Sequence, residues 1–163
     1  MVVKDFSYLV IQNKFQKGYL EHVFGTRNVH KENAMTVKLN EVWINSDVDE
    51  TLVEMVYHAL HALNATNKMM KDNTLEFDSV KIEGIDEMNP IETSLKLYEE
   101  VINETEEILK EVDLDQISGT LNKLQGNEEA FIRRYGILTM HAVHHWGQII
   151  RFHGIICNIL EKE

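Results

Sequence analysis

The chain has 163 residues, of which 44% are hydrophobic and 26% are charged, and this balance predicts one soluble globular domain spanning 1–163. The formal net charge of -11 argues against binding to nucleic-acid phosphates or to anionic membranes, because both need basic patches. No apolar run reaches bilayer length, the N-terminus lacks a signal-peptide pattern, and the single cysteine, Cys157, excludes an intramolecular disulfide, so we expect a cytoplasmic protein.

The first predicted helix covers residues 5–24, and Gly25 is a suitable stop. Its apolar positions are supplied by Phe6, Leu9, Val10, Phe15, Leu20 and Val23. From residue 25 to residue 45 the helical periodicity fades into a long connection. This connection is either a crossover packed along the other helices or a segment that lines a functional site.

The second predicted helix runs from residue 46 to about Met70, and Ser46 with Asp49 resembles a capping box at its start. Its apolar arc consists of Leu52, Met55, Val56, Ala59, Leu60 and Leu63. At 100° per residue, His61 lies roughly opposite this arc and His58 lies on its flank. The pattern therefore favours His58 over His61 as a histidine directed to the other helices, although the rotation of the helix leaves His61 open.

Two further helices follow. Asn89 is a natural cap and Pro90 suits the first helical position, so the third helix is predicted from there to about Val112. A linker separates it from a fourth helix over residues 128–160. Four long helices predict an all-α helical bundle, in which facing side chains can build a site in the core.

The fourth helix carries the chemistry. His141 and His145 are four residues apart, so they project together and can hold one divalent ion; ordinary histidines satisfied by hydrogen bonds are the alternative. They belong to a mostly aliphatic stripe made of Arg134, Leu138, His141, His145, Ile149, Phe152, Ile156 and Ile159. A zinc-like ion needs at least three protein ligands, and His58 is the preferred third.

The opposite face of the fourth helix is apolar as well, with Val143, Trp146, Ile150 and Cys157. A helix that is apolar nearly all round is buried or shared with a partner. We therefore expect a homodimer packed partly through the fourth helix. Cys157 points away from the histidine pair, which indicates an interface or core thiol and not a ligand or nucleophile.

Residues 141–148, His-Ala-Val-His-His-Trp-Gly-Gln, resemble the signature of the DinB/YfiT-like superfamily, whose last long helix carries a histidine, three intervening residues and then His-Arg-Gly-Gln. A histidine after the run Leu-Val-Glu-Met-Val-Tyr, residues 52–57, matches too, so the resemblance covers most of the chain. It implies a four-helix bundle with up-down-down-up connectivity, frequent dimers, and His58, His141 and His145 as metal ligands. Trp146 stands where the family has arginine, a departure that concerns any polar role of that arginine at a dimer contact or near substrate.

The resemblance also implies a function. Some members look like metal-dependent transferases or isomerases that use low-molecular-weight thiols such as bacillithiol, mycothiol or glutathione. We expect zinc or nickel at the site and a thiol-dependent S-transfer or isomerisation of a small electrophile. A non-catalytic metal-binding or stress-response dimer and a metal-dependent hydrolase stay open. No catalytic residue is assigned, because Glu54, one turn before His58, is a general-base candidate but more simply a surface acid.

Overall fold

The computed structural model describes the greater part of the chain. The described residues are 11, 14–19, 21, 32–43, 46–72, 84–86, 88–111 and 128–162, with the backbone alone for 128–139. Apart from one isolated bridge between Lys38 and Thr51, the elements in these ranges are helices, which confirms the all-α class. They are a 3-10 helix Glu32–Met35, then α1 (Leu39–Val42), α2 (Leu52–Asp72), α3 (Pro90–Glu111) and α4 (Glu128–Leu160).

The predicted first helix lies mostly outside the described residues, although 14–19 are helical. Two ion pairs attach this segment to α3, with Lys14 Nζ 2.7 Å from Glu106 and Lys17 Nζ 3.4 Å from Glu99. Because the residue numbers rise along the segment as they fall along α3, the two run in opposite directions.

The start of α2 corrects the predicted cap. The helix begins at Leu52 and not near Ser46, whose hydroxyl instead accepts a hydrogen bond from the Val48 N–H at 3.2 Å. The capping box is formed by Thr51 and Glu54. The Glu54 carboxylate accepts the Thr51 N–H at 2.6 Å, and the Thr51 hydroxyl accepts the Glu54 N–H at 3.2 Å.

The start of α3 at Pro90 is confirmed, but the group that caps its N-terminus comes from a residue far away in the sequence. The Ile91 N–H donates to the Glu32 carboxylate at 2.8 Å, whereas the Asn89 side chain reaches back to Asp86 at 3.4 Å. A carboxylate at a helix N-terminus satisfies a free N–H and favours the helix dipole. The 3-10 helix that carries Glu32 is thereby attached to the beginning of α3.

The core lies along α2, which packs against both α3 and α4. Fully buried side chains of α2 meet counterparts from both neighbours and from the preceding turns. They are Met35, Leu39, Leu52, Val56, Ala59, Leu60, Ile102, Ala142, Ile149 and Ile156. Each large aliphatic side chain removed from water contributes about 1.5–3 kcal/mol of hydrophobic free energy, so this cluster holds α2 in place.

Buried polar contacts show how α2 and α3 are aligned. The Tyr57 hydroxyl, near the start of α2, accepts the Ile85 N–H at 3.0 Å, just ahead of α3. Further along α2, Asn67 donates to the Val101 carbonyl at 3.1 Å and accepts the Thr105 hydroxyl at 2.7 Å. From the first contact to the second, the residue numbers rise on both sides, so α2 and α3 run parallel.

The limits of α4 agree with the predicted 128–160, and part of its second face is covered by the chain itself. Trp146 is 4% exposed and contacts Tyr98 of α3 in a tilted arrangement with ring centroids 5.0 Å apart, and Cys157 is also 4% exposed. The chain itself covers these two residues, whereas Val143 and Ile150 of the same face are half-buried, and the homodimer contact through this face stays a prediction. Cys157 is a core thiol. Within the described ranges, no helix combines the length and hydropathy needed to cross a bilayer.

Candidate metal centre

Three histidines from two helices converge at one point. His58 Nε2 on α2 lies 3.0 Å from His141 Nε2 on α4, and His145 Nε2 lies 3.1 Å from the same atom. One potential ligand atom from each residue falls within 4.8 Å of the other two. The structure thus brings together the three residues expected from the sequence, and His61, which is half-buried on α2, does not join them.

Two of the three histidines are each followed by a buried alanine. Ala59 follows His58 and Ala142 follows His141, and both alanines are fully buried in the core cluster. Small side chains let helices approach closely, since the interaxial distance depends on the side chains at the contact. The edge-to-face contact of His141 and His145 comes from their i,i+4 spacing, with ring centroids 4.5 Å apart and an interplanar angle of 81°.

The spacing of the three nitrogens suits a divalent ion. Zinc–nitrogen bonds of 2.0–2.1 Å in a tetrahedral arrangement place ligand nitrogens about 3.3 Å apart, close to the observed 3.0 and 3.1 Å. An imidazole nitrogen has a single in-plane position, occupied by either a proton or a lone pair. His141 Nε2 therefore forms a good hydrogen bond with one neighbour only, whereas one cation satisfies all three lone pairs.

The site opens to solvent, although His141 and His145 belong to a mostly aliphatic stripe of α4. His58 and His141 are exposed and His145 is half-buried. The aliphatic part of the predicted stripe begins one turn further along α4, where Ile149 is fully buried. The histidine pair is therefore only partly buried, and the exposure of His58 and His141 leaves their rings accessible to small molecules.

The environment keeps two of the imidazoles neutral. Partial burial, followed by the neighbouring His58 and His144 rings, lowers the pKa of His141 below its usual value. Burial is also the main cause that lowers the pKa of His145, with His58 and His141 adding to it and a hydrogen bond to Gln148 opposing it. Neutral imidazole is the form that binds metal ions.

The second ring nitrogen of His145, Nδ1, lies away from the three-histidine cluster and is buried. It lacks a well-formed hydrogen bond within the described part of the chain. Gln148, on the next turn of α4, is the side chain that influences the pKa of this imidazole. Ligating histidines usually donate their second N–H to a carbonyl, carboxylate or water, and such a contact fixes the ring orientation. Gln148 is the side chain next to His145 that could supply such a contact.

The other sequence candidates fall elsewhere. The His144 ring is exposed, with its centroid 5.3 Å from that of His145. Glu54 is occupied as a helix cap, which agrees with its reading as a surface acid.

One buried histidine was missed. His153 is fully buried beside Cys157, whose sulfur lies 3.6 and 3.8 Å from the two ring nitrogens. Nearly equal distances place the sulfur beside the ring and not in line with one N–H. The i,i+4 spacing of the two residues was the available signal.

Comparisons with protein-family models, with curated proteins and with solved structures found no match for this chain. The centre therefore has to be interpreted from its own residues.

Proposed function

We propose that His58, His141 and His145 bind one divalent metal ion, with zinc or nickel as the expected ions. The observation that carries this proposal is the convergence of three Nε2 atoms at ligand spacing from two different helices. Three-histidine sites accept several first-row ions, and availability selects among them.

The proposed activity is a thiol-dependent S-transfer or isomerisation acting on a small electrophile. His58, His141 and His145 would hold the ion, and the bound ion would lower the pKa of a thiol or water that coordinates to it. The exposure of His58 and His141 supports access by such small molecules. In S-transfer, the sulfur bonds to the electrophilic carbon, the leaving group departs with its electron pair, and the thiol proton passes to solvent.

The chain's own residues have limited roles in this scheme. The two helices orient the imidazoles, and the lowered pKa values of His141 and His145 keep their nitrogens available near neutral pH. No carboxylate is among the groups that shift these two pKa values within the described residues. Because water reaches the same open site, metal-dependent hydrolysis is the second candidate.

We further propose that the fold is a DinB-like four-helix bundle with up-down-down-up connectivity. Two features support it: the parallel run of α2 and α3, and the antiparallel run of segment 14–19 on α3. Parallel neighbours need a long connection between them, and residues 73–89 separate these two helices.

The test of the metal centre uses protein without a histidine tag. Calorimetric titration with zinc and with nickel should give one ion per chain, and His58→Ala, His141→Ala and His145→Ala should each abolish tight binding. His61→Ala is the matched control, since His61 lies on the same helix outside the cluster. Unchanged affinity in all three variants would refute the assignment.

The test of the thiol uses cobalt-substituted protein. Titration with bacillithiol, mycothiol or glutathione should change the visible spectrum of the ion, and the effective thiol should support conjugation to a small electrophile. An unchanged spectrum with every thiol, together with hydrolysis of activated esters, would replace the transferase by the hydrolase.

A further inference from the structure

A cavity of about 240 Å³ lies between the helical segment near the N-terminus and α3. The residues that line it repeat at spacings of three and four, so one face of each helix contributes. They are Lys14, Lys17, Gly18 and Glu21 from the segment and Glu99, Ile102 and Asn103 from α3. Pockets for drug-sized ligands span about 300–1,000 Å³, so this cavity suits a smaller molecule.

Gly18 is the residue that leaves this space open. It has a helical backbone and lies on the face that lines the cavity. A methyl group added at Gly18 would meet no atom within 4 Å among the described residues, apart from its chain neighbours and the backbone of its own helix. Glycine inside a helix is less favourable than alanine. Because neither backbone conformation nor close packing requires glycine here, the effect that remains is an open space beside α3.

The cavity presents charges of both signs close together. Lys17 Nζ lies 3.0 Å from the Glu21 carboxylate and 3.4 Å from that of Glu99. The hydrogen bond with Glu21 is the main cause that raises the pKa of Lys17, so this side chain stays an ammonium. The second ammonium, Lys14, pairs with Glu106 at 2.7 Å. A ligand in the cavity therefore meets ammonium and carboxylate groups at the same time.

These ion pairs can be exchanged for contacts with a ligand. The side chains of Lys14, Glu21 and Glu99 are 53%, 48% and 55% exposed, and exposed ion pairs contribute little to stability. A ligand with a single charge would lie beside a like charge of the lining, which is unfavourable. A zwitterion with its two charges on neighbouring groups pairs with both signs, as a free amino acid does.

The size and the apolar part of the cavity narrow the choice of amino acid. Ile102 is 2% exposed and forms an apolar part of the lining, and the aliphatic stems of the two lysines add to it. The volume equals that of roughly eight liquid waters at about 30 Å³ each. Valine and leucine have a similar number of non-hydrogen atoms.

We propose that this cavity is a binding site for a free α-amino acid with a small aliphatic side chain. The ligand carboxylate contacts Lys14 and Lys17, its ammonium contacts Glu21 and Glu99, and its side chain packs against Ile102. The site is separate from the metal centre, whose residues lie on α2 and α4.

The first test is calorimetric titration of the full chain with L-valine and with L-leucine, which should each bind at one site per chain. Isocaproate and isoamylamine are the matched ligands, because they are leucine without its ammonium and leucine without its carboxylate. Each should bind at least about tenfold more weakly than leucine. No binding of either amino acid at millimolar concentration, or equal affinity for a singly charged analogue, would overturn the proposal.

The second test fills the cavity from within. Gly18→Leu should weaken binding of the amino acid at least about tenfold, since its side chain takes the space of the ligand. Tyr19→Leu is the matched control, because it places the same side chain at an exposed position outside the lining and should bind as the wild type does. Unchanged affinity in Gly18→Leu would refute the site.

Stability and metal binding of the same variants exclude an indirect effect. Leucine and alanine favour helix over glycine, so Gly18→Leu and Gly18→Ala should unfold at a urea concentration equal to or above that of the wild type. A loss of stability in Gly18→Ala would show that packing requires the glycine and would contradict the proposal. Zinc affinity should be the same in all these proteins, which separates a failure here from a failure of the metal centre.

Discussion

Two polar clusters on α2 behave in opposite ways. Asn67, facing α3, is 1% exposed, and so is its partner Thr105. The Asn67 amide donates to one carbonyl and accepts one hydroxyl, so its polar atoms are satisfied. At His58, facing α4, three ring nitrogens meet near the surface with too few protons to form hydrogen bonds among them all.

The difference separates a structural cluster from a functional one. Buried polar groups with complete hydrogen bonds specify how helices align. Nitrogens that converge without enough protons to hydrogen-bond one another keep free lone pairs, and an external cation can bind to these lone pairs. The Asn67 cluster should therefore control stability and leave metal binding alone, and the histidine cluster should do the reverse.

The largest expected effect is on metal affinity. His141→Ala should lower zinc affinity more than about 100-fold, since even residues that merely orient ligands contribute 10- to 100-fold. The free energy of unfolding of the metal-free protein should change little, because His141 is exposed. Calorimetry and urea unfolding check both parts, and a large loss of stability without metal would contradict the comparison.

The next effect is on stability. Asn67→Asp places a carboxylate against the Val101 carbonyl in a buried position and should lower the free energy of unfolding by about 3 kcal/mol or more. Asn64→Asp, the same change at a half-buried position of α2, is the control and should cost much less. Urea unfolding measures both, and zinc affinity of the folded Asn67→Asp protein should match the wild type.

The third effect is a pH dependence of the histidine cluster. The pKa values of His141 and His145 are lowered from 6.5, so both are neutral above that pH, and protons compete with metal as the pH falls below it. Zinc affinity should be level from pH 7 to 8 and decline below about 6.5. Affinity that stays constant to pH 5 would indicate carboxylate ligands.

The same lowered pKa values affect the metal-free protein. The unfolded chain binds more protons than the folded chain as the pH falls below 6.5. The stability contribution of these histidines is therefore fully present above 6.5 and is lost as the pH falls through their lowered pKa values. Urea unfolding of the metal-free protein as a function of pH should show this decline, and His141→Ala should reduce it.

The smallest effect concerns the cap that starts α2. Thr51→Ala removes the hydroxyl that accepts the Glu54 N–H and should lower the free energy of unfolding by about 1 kcal/mol. Ser46→Ala, at the cap position expected from the sequence, should cost less, because Ser46 lies outside the helix. If both variants lost the same free energy of unfolding, Ser46 would also act as a helix cap. Zinc affinity should stay unchanged in both variants.

Much of the local structure could be predicted because short-range chemistry decides it. Pro90 has no N–H to lose at a first helical position, so the start of α3 was found. The i,i+4 spacing made His141 and His145 neighbours in advance. The cap of α2 was predicted five residues too early, because Ser46 with Asp49 and Thr51 with Glu54 form the same kind of sequence pattern. In the structure Thr51 and Glu54 cap the helix, and Asp49 instead accepts a hydrogen bond from Lys38.

Long-range contacts could not be predicted in this way. Nothing near Ile91 in the sequence indicates that the Glu32 carboxylate caps its helix. The ring contact between Trp146 and Tyr98 likewise depends on the position of α3. The exposure of Phe15 was missed for the same reason, since anchors on α3 set the rotation of its segment. An apolar residue on an amphipathic pattern looks buried until its neighbours are known.

The sequence by itself determined the helices, the pairing of two histidines on one helix and the preference for His58, because backbone periodicity fixes which side chains share a face. The tertiary structure decided that His58 meets that pair, that the meeting point opens to solvent, and that Trp146 and Cys157 of α4 are buried while Phe15 is exposed. These outcomes depend on how whole helices rotate and pack against each other, which is a balance over many distant contacts and not a property of any one segment.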